Sequence, residues 1–188
     1  MEPPLSSHSA SNRAEPNTIA RLQAAVAELT AAIQAGPEDA ALFFRRGVLY
    51  GQLAEPLQAI DDFDECLRLN PSHAEAYFNR GMANIQLQQQ YAAVEDFSDA
   101  IRLKPDHADA WNNRAAAYVD LGQAEQAIRD ATEAIRLNGQ LASAYAVRAI
   151  AHTSLDNGAK AGQDASQAEA LGFDRTQLTF LLRQARQR

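Results

Sequence analysis

The sequence predicts an all-α fold, a stack of antiparallel helix pairs, and three observations carry that prediction. Pro37, Pro71 and Pro105 stand 34 residues apart, and Gly139 and Phe173 continue the spacing. Inside each period the same residue types return in register, as expected when one two-helix unit is repeated. Apolar residues recur at steps of three and four, no stretch alternates as a strand would, and short breakers ("NPSH", "KPDH", "NGQ", "DNG") cut the chain into segments of about a dozen residues.

Residues 1–17 are rich in Ser, Pro and Asn and poor in large apolar side chains. Such a segment buries too little to repay the entropy of ordering and is expected to be a disordered tail. Residues 18–36 follow as a helix, because Ile19, Leu22, Val26, Leu29 and Ile33 fall on one stripe. With Ala25, Leu29, Ala32 and Pro37 in repeat register, this helix is expected to cap the first full unit.

Four units come next, at 40–73, 74–107, 108–141 and 142–173. In their first helices an aromatic (Phe43, Tyr77, Trp111, Tyr145) precedes a small residue (Gly47, Gly81, Ala115, Ala149), and Leu53, Leu87, Leu121 and Leu155 close the helix. In their second helices Ala59, Ala93, Ala127 and Ala161 recur, followed by Cys66, Ala100, Ala134 and Ala168. Small residues on both members of a pair let the backbones approach closely, and the aromatic fills the wider gap towards the neighbouring unit. One pair cannot bury its own apolar face, whereas stacked pairs can. The fourth unit departs most, with His152 in the slot of Tyr50 and Tyr118, Gly162 in a branched apolar slot and Ala165 in an aromatic one. Its second helix is expected to fray. Residues 174–188, carrying Leu178, Leu181 and Leu182, are expected to form a capping helix at the far end.

With these residues in register, the stretch from Ala40 to Leu171 resembles the tetratricopeptide repeat family. The resemblance implies a right-handed α-solenoid with an open concave face that binds a protein or peptide. Some members of that family clamp a C-terminal carboxylate with Lys, Asn and Arg. Here Asn79 and Asn113 match the middle Asn, but Phe44, Val48, Phe78, Met82, Asp109, Ser143 and Val147 stand where other clamp residues belong, so a clamp is not expected.

A second regularity runs through the units. Arg46, Arg80, Arg114 and Arg148 are each followed sixteen residues later by an acid, Asp62, Asp96, Asp130 and Asp164. Four arginines could form an anion-binding stripe. A partner carboxylate at constant spacing favours a structural ladder instead, joining the two helices of a unit or neighbouring units.

One residue before each Arg the side chain turns by about 100°, which under the family architecture places it on the concave side. The groove candidates are Phe44, Arg45 and Val48 in the first unit, and Phe78, Asn79, Met82 and Ile85 in the second. The third contributes Asn112, Asn113, Ala116 and Val119, and the fourth Val147 and Ile150. Amides can pair with a peptide backbone, while Phe and Met offer adaptable apolar pockets. An extended or helical peptide with apolar anchors would suit such a face. The competing reading has Phe44, Phe78 and Met82 packing between adjacent first helices.

A net charge of −7 with no long basic run argues against nucleic acid and against anionic membranes. No stretch approaches the roughly 20 apolar residues of a membrane helix, and the first residues lack the pattern of a secretion signal. Together with the lone Cys66 and four scattered histidines, this predicts a cytoplasmic protein without disulfide, metal or cofactor. Cys66 occupies a small-residue slot and is expected to be buried. No phosphate loop, nucleophile elbow or zinc-helix spacing appears, so a non-catalytic adaptor is expected. The alternative is a homo-oligomeric scaffold using the groove or the array ends. The tail or the last helix could also fold into the groove as a plug.

Overall fold

The computed structural model describes residues 16–36 and 38–187. Pro37 and most of the expected tail lie outside the described residues. Ten helices make up the described chain, and no strand occurs among the described residues: α1 (Pro16–Ala35), α2 (Ala40–Gln52), α3 (Pro56–Leu69), α4 (Ala74–Gln86), α5 (Gln90–Leu103), α6 (Ala108–Asp120), α7 (Ala124–Leu137), α8 (Ala142–Ser154), α9 (Gly158–Ala170) and α10 (Arg175–Ala185). They form a helical-repeat solenoid in which α2/α3, α4/α5, α6/α7 and α8/α9 are the pairs. Each second helix also packs on the first helix of the next pair. α1 begins at Pro16, inside the stretch assigned to the tail, since proline fits the first helical position where its missing N–H costs nothing.

Every pair reverses direction through the same turn. Ala54, Gln88, Gly122 and Asp156 adopt positive φ (57°, 58°, 72° and 54°), again 34 residues apart. The next residue's N–H reaches back to the carbonyl five positions earlier, as in Glu55 to Tyr50 and Gln89 to Asn84, both at 2.9 Å. This left-handed cap satisfies carbonyls that the helix end would otherwise leave bare.

The packing inside the pairs changes along the array. In the first two, a glycine faces a phenylalanine sixteen residues later, Gly47 with Phe63 and Gly81 with Phe97, and both rings are buried. In the last two the same positions are Ala115 with Ala131 and Ala149 with Ala165. Two small side chains replace one ring and one hydrogen, so the interior there is built almost wholly of alanine. Cys66 is fully buried, and burial pushes its thiol up to about 11.

The expected fraying of the fourth unit is not seen. α9 is continuous and ends one residue earlier than its counterparts, at a glycine cap where Gly172 takes φ 94° and Phe173 N–H bonds to the Ala168 carbonyl. Asp174 caps α10 by accepting from Gln177 N–H at 2.6 Å. Leu178 of α10 is buried with Ala146 and Ala168, which seals the end of the array.

Candidate protein-interaction groove

The floor between the helix rows is held by the arginines. Each binds the carboxylate of its own unit through two nitrogens, with shortest contacts of 2.6 Å for Arg46–Asp62 and Arg80–Asp96 and 2.7 Å for Arg114–Asp130 and Arg148–Asp164. The remaining Nη1 reaches backwards, to a residue sixteen positions earlier on the preceding second helix. Its acceptors are Thr30 Oγ1 at 3.0 Å, Asp64 Oδ1 at 2.6 Å, Ser98 Oγ at 2.9 Å and Thr132 Oγ1 at 3.2 Å. The three hydroxyls donate to the carbonyl four residues before them, which leaves their lone pairs for the arginine. One guanidinium thus joins two helices of its unit to the unit before. The carboxylate hydrogen bonds hold Arg46 and Arg148 above the ordinary guanidinium range. These backward acceptors escaped the sequence reading, although Thr30, Asp64, Ser98 and Thr132 also stand 34 apart.

The first helices α2, α4, α6 and α8 carry the candidate groove. Phe44 packs on His73 with the rings tilted by 34° and their centroids 4.5 Å apart, and leans on Phe63 at 6.0 Å. Phe78 repeats the arrangement with His107 at 4.7 Å and Phe97 at 5.8 Å. His107 is itself held near Glu75, Nε2 to Oε2 at 3.6 Å. Burial alone would raise the Glu75 carboxyl, but Lys104 and His107 outweigh it and hold it below its usual value. The two phenylalanines are therefore half-buried parts of the wall, and the recurring histidines are their supports.

Asn112 corrects the sequence reading. It takes the position of Phe44 and Phe78, which points between helices, and it is only 8% exposed, with an Oδ1 that has no hydrogen-bond partner. α6 and α8 pack directly on one another, and the position of Phe63 and Phe97 is here Ala131. Asn79 and Asn113 are half-buried on the next face, and each donates its Nδ2 to a carbonyl of its own helix, Glu75 at 2.7 Å and Asp109 at 2.8 Å.

Three hollows follow the row. The first, about 520 Å³, lies between α1 and α2 and is lined by Phe44, Arg45 and Val48. A second of about 300 Å³, between α2 and α4 over Phe63, takes in Val48, Phe78, Asn79 and Met82. The third, about 220 Å³, is lined by Val119, Val147 and Ile150 together with Leu181 and Ala185 of α10. Ile85 and Asn113 line none of the three. The last helix thus both caps the array and lines the third hollow.

No group of three His, Cys, Asp or Glu residues able to hold a metal occurs among the described residues, nor is any described helix long and apolar enough to cross a membrane.

Models of the tetratricopeptide repeat match residues 40–73 and 74–107, and another matches 97–129. No curated protein matches the chain. Among solved structures, MamA is similar at 22% identity and a TM-score of 0.78, over 82% of this chain and 91% of that one. YrrB, described as a TPR protein with an unusual peptide-binding site, is similar at 17% identity and a TM-score of 0.75, over 92% and 87%. The first TPR domain of Spaghetti (RPAP3), bound to the HSP90 peptide SRMEEVD, is similar at 22% identity and a TM-score of 0.61, over 62% and 93%.

Proposed function

Since the chain is a tetratricopeptide-repeat protein, we propose that it is a non-catalytic adaptor that holds a peptide segment of another protein in its concave groove. The observation that carries this reading is the row of half-exposed apolar side chains, Val48, Met82, Val119, Val147 and Ile150, left uncovered along hollows in the first helices. Uncovered apolar surface arranged in pockets is what a guest with apolar anchors displaces water from. Asn79 and Asn113 add carbonyl oxygens that can accept from a guest backbone. Peptide binding by YrrB and by the Spaghetti domain supports the reading by analogy of fold. Arg45 is the lone cation among the groove candidates, which fits poorly with an acidic C-terminal guest.

The test is capture from native lysate with wild type and with a Met82→Arg, Val147→Arg double variant, both verified as folded by circular dichroism. A protein retained by wild type and lost by the variant is expected. Equal retention by both would remove the groove from the account.

Self-association is the second reading, favoured by Phe180, which is 59% exposed on the outer face of α10. A concentration-dependent mass in sedimentation that Phe180→Ser abolishes would establish it.

A further inference from the structure

We propose that the α1–α2 edge is a seat for a docked helix, and that it takes an amphipathic α-helix of another protein carrying Arg followed by Gly or Ala. The proposal rests on reading the groove as a protein-binding surface and names what its first hollow accepts.

The first and second hollows are built from the same positions one period apart. Ala25, Leu29, Phe44, Arg45, Val48 and Leu49 line the first. Ala59, Phe63, Phe78, Asn79, Met82 and Ala83, each 34 residues later, line the second. The second hollow has a further wall, Gly47, Gly51 and Gln52, supplied by the first helix of the preceding pair. The first hollow has no such wall among the described residues, where α1 holds the place of a second helix with no first helix beside it.

Burial along α1 agrees. Ala59, Ala93 and Ala127 are fully buried under their first helices and Ala161 nearly so, whereas Ala25 at the same position is half-buried. Cys66, Ala100, Ala134 and Ala168 are all fully buried, whereas Ala32 is exposed. α1 nevertheless behaves as a genuine second helix on its other side, since Thr30 accepts from Arg46 as Ser98 does from Arg114. The seat therefore continues an interface already used four times in the molecule.

A helix that fills this place has a readable chemistry. Each first helix presents Arg and then Gly or Ala, and the Arg pairs with an acid sixteen residues on. The α1 position equivalent to Asp62, Asp96, Asp130 and Asp164 is Glu28, which lines the hollow and has no ion pair among the described residues. An incoming helix with Arg next to a small residue would complete the ladder at Glu28 and place its small side against Leu29.

The described first helices do not qualify, since α2, α4, α6 and α8 are already docked in their pairs. Its N-terminal segment contains Asn12, Arg13 and Ala14. Ala14 lies two residues, at most about 7 Å, before the start of α1, whereas Leu29 lies about 20 Å along it. With α1 helical from Pro16, the covalent link is too short to bring the Arg13–Ala14 pair to Leu29 of the same molecule. A partner helix avoids this restriction.

The experiment pans a display library of 16-residue helical peptides, randomised on one face, against the full chain and measures the selected peptides by fluorescence anisotropy. Expected are sequences with Arg-Gly or Arg-Ala at the centre. Their affinity should fall at least tenfold with Glu28→Lys or Ala32→Arg, both at exposed positions, and hold within twofold with Met82→Arg. Charge-reversed peptides, with Glu in place of Arg, should regain binding to Glu28→Lys. Peptides lost with Met82→Arg but indifferent to Glu28→Lys and Ala32→Arg would overturn the seat and leave the groove reading standing. Failure to select any peptide would remove both. A tenfold gain in peptide affinity on deleting residues 1–15, or binding of a synthetic 1–16 peptide at the seat, would overturn the assignment to another protein in favour of the chain's own segment.

Discussion

Gly81 lies so close to the Phe97 ring that a Cβ placed on it would fall 2.7 Å from Cε1 and 2.9 Å from Cδ1. Phe97 is fully buried. Gly47 and Phe63 repeat the contact at 2.8 Å. Gly81→Ala would gain up to about 1 kcal/mol of helix propensity, but overpacking a filled core costs about 1–3 kcal/mol. A net loss of stability is expected in urea unfolding. The double variant Gly81→Ala, Phe97→Ala reproduces the Ala115–Ala131 arrangement, so its loss should be smaller than the sum of the single losses. Additive losses would mean that the two residues do not share one space.

Arg114 bridges Asp130 and Ser98, and the Asp130 side chain is 8% exposed. Arg114→Ala strands that carboxylate without a cation, a change that typically costs about 3–5 kcal/mol for a buried pair. A loss of at least about 2 kcal/mol is expected, against about 0–1 for an exposed pair. A loss below 1 kcal/mol would show the pair to be solvated and would return the arginines to consideration as an anion-binding stripe.

His152 is buried where Tyr50 and Tyr118 stand, and its Nδ1 has no hydrogen-bond partner. Burial lowers its pKa from 6.5, with Lys160 of α9 and Arg148 of α8 adding to the effect and Asp164 of α9 opposing it. The unfolded chain therefore takes up the proton first. The stabilising contribution is complete above about pH 6.5 and is lost as the pH falls through that value towards the lowered folded pKa. Melting temperature should drop more between pH 7.5 and pH 5 in wild type than in His152→Tyr. Parallel curves for the two proteins would exclude His152 as the source.

Asn112 holds a buried carbonyl oxygen without a donor. An unsatisfied buried polar atom costs about 1–3 kcal/mol. Asn112→Leu removes the penalty at similar volume and is expected to raise the melting temperature. A lower one would reveal a polar partner for the amide in solution.

Much of the fold can be read along the chain, because the constraints that produce it are local. A 34-residue period and a small residue on each helix act within one helix pair, whereas the left-handed caps at Ala54, Gln88 and Asp156 carry no glycine that would mark them in the sequence. The sixteen-residue Arg-to-Asp spacing is legible for the same reason, since both side chains belong to one unit. Asn79, Met82, Val119, Val147 and Ile150 are assigned to the groove by their repeat register together with the architecture that the family resemblance implies.

What periodicity leaves open depends on the volumes of side chains contributed by three helices at once. Asn112 and Asn113 are neighbours in sequence, yet Asn112 is buried where α6 and α8 pack together and Asn113 is half-buried. The backward reach of each Arg to the preceding unit is likewise a distance between units. The opening beside α1 is decided by tertiary packing too: Ala25, Glu28 and Ala32 look like their buried counterparts in sequence, and among the described residues no first helix lies over them. By itself the sequence determined the units, their pairing and their order. Only the packed structure decided which equivalent positions are filled and which stand open, because a repeat specifies the shape of each unit while burial depends on whether a neighbour is there.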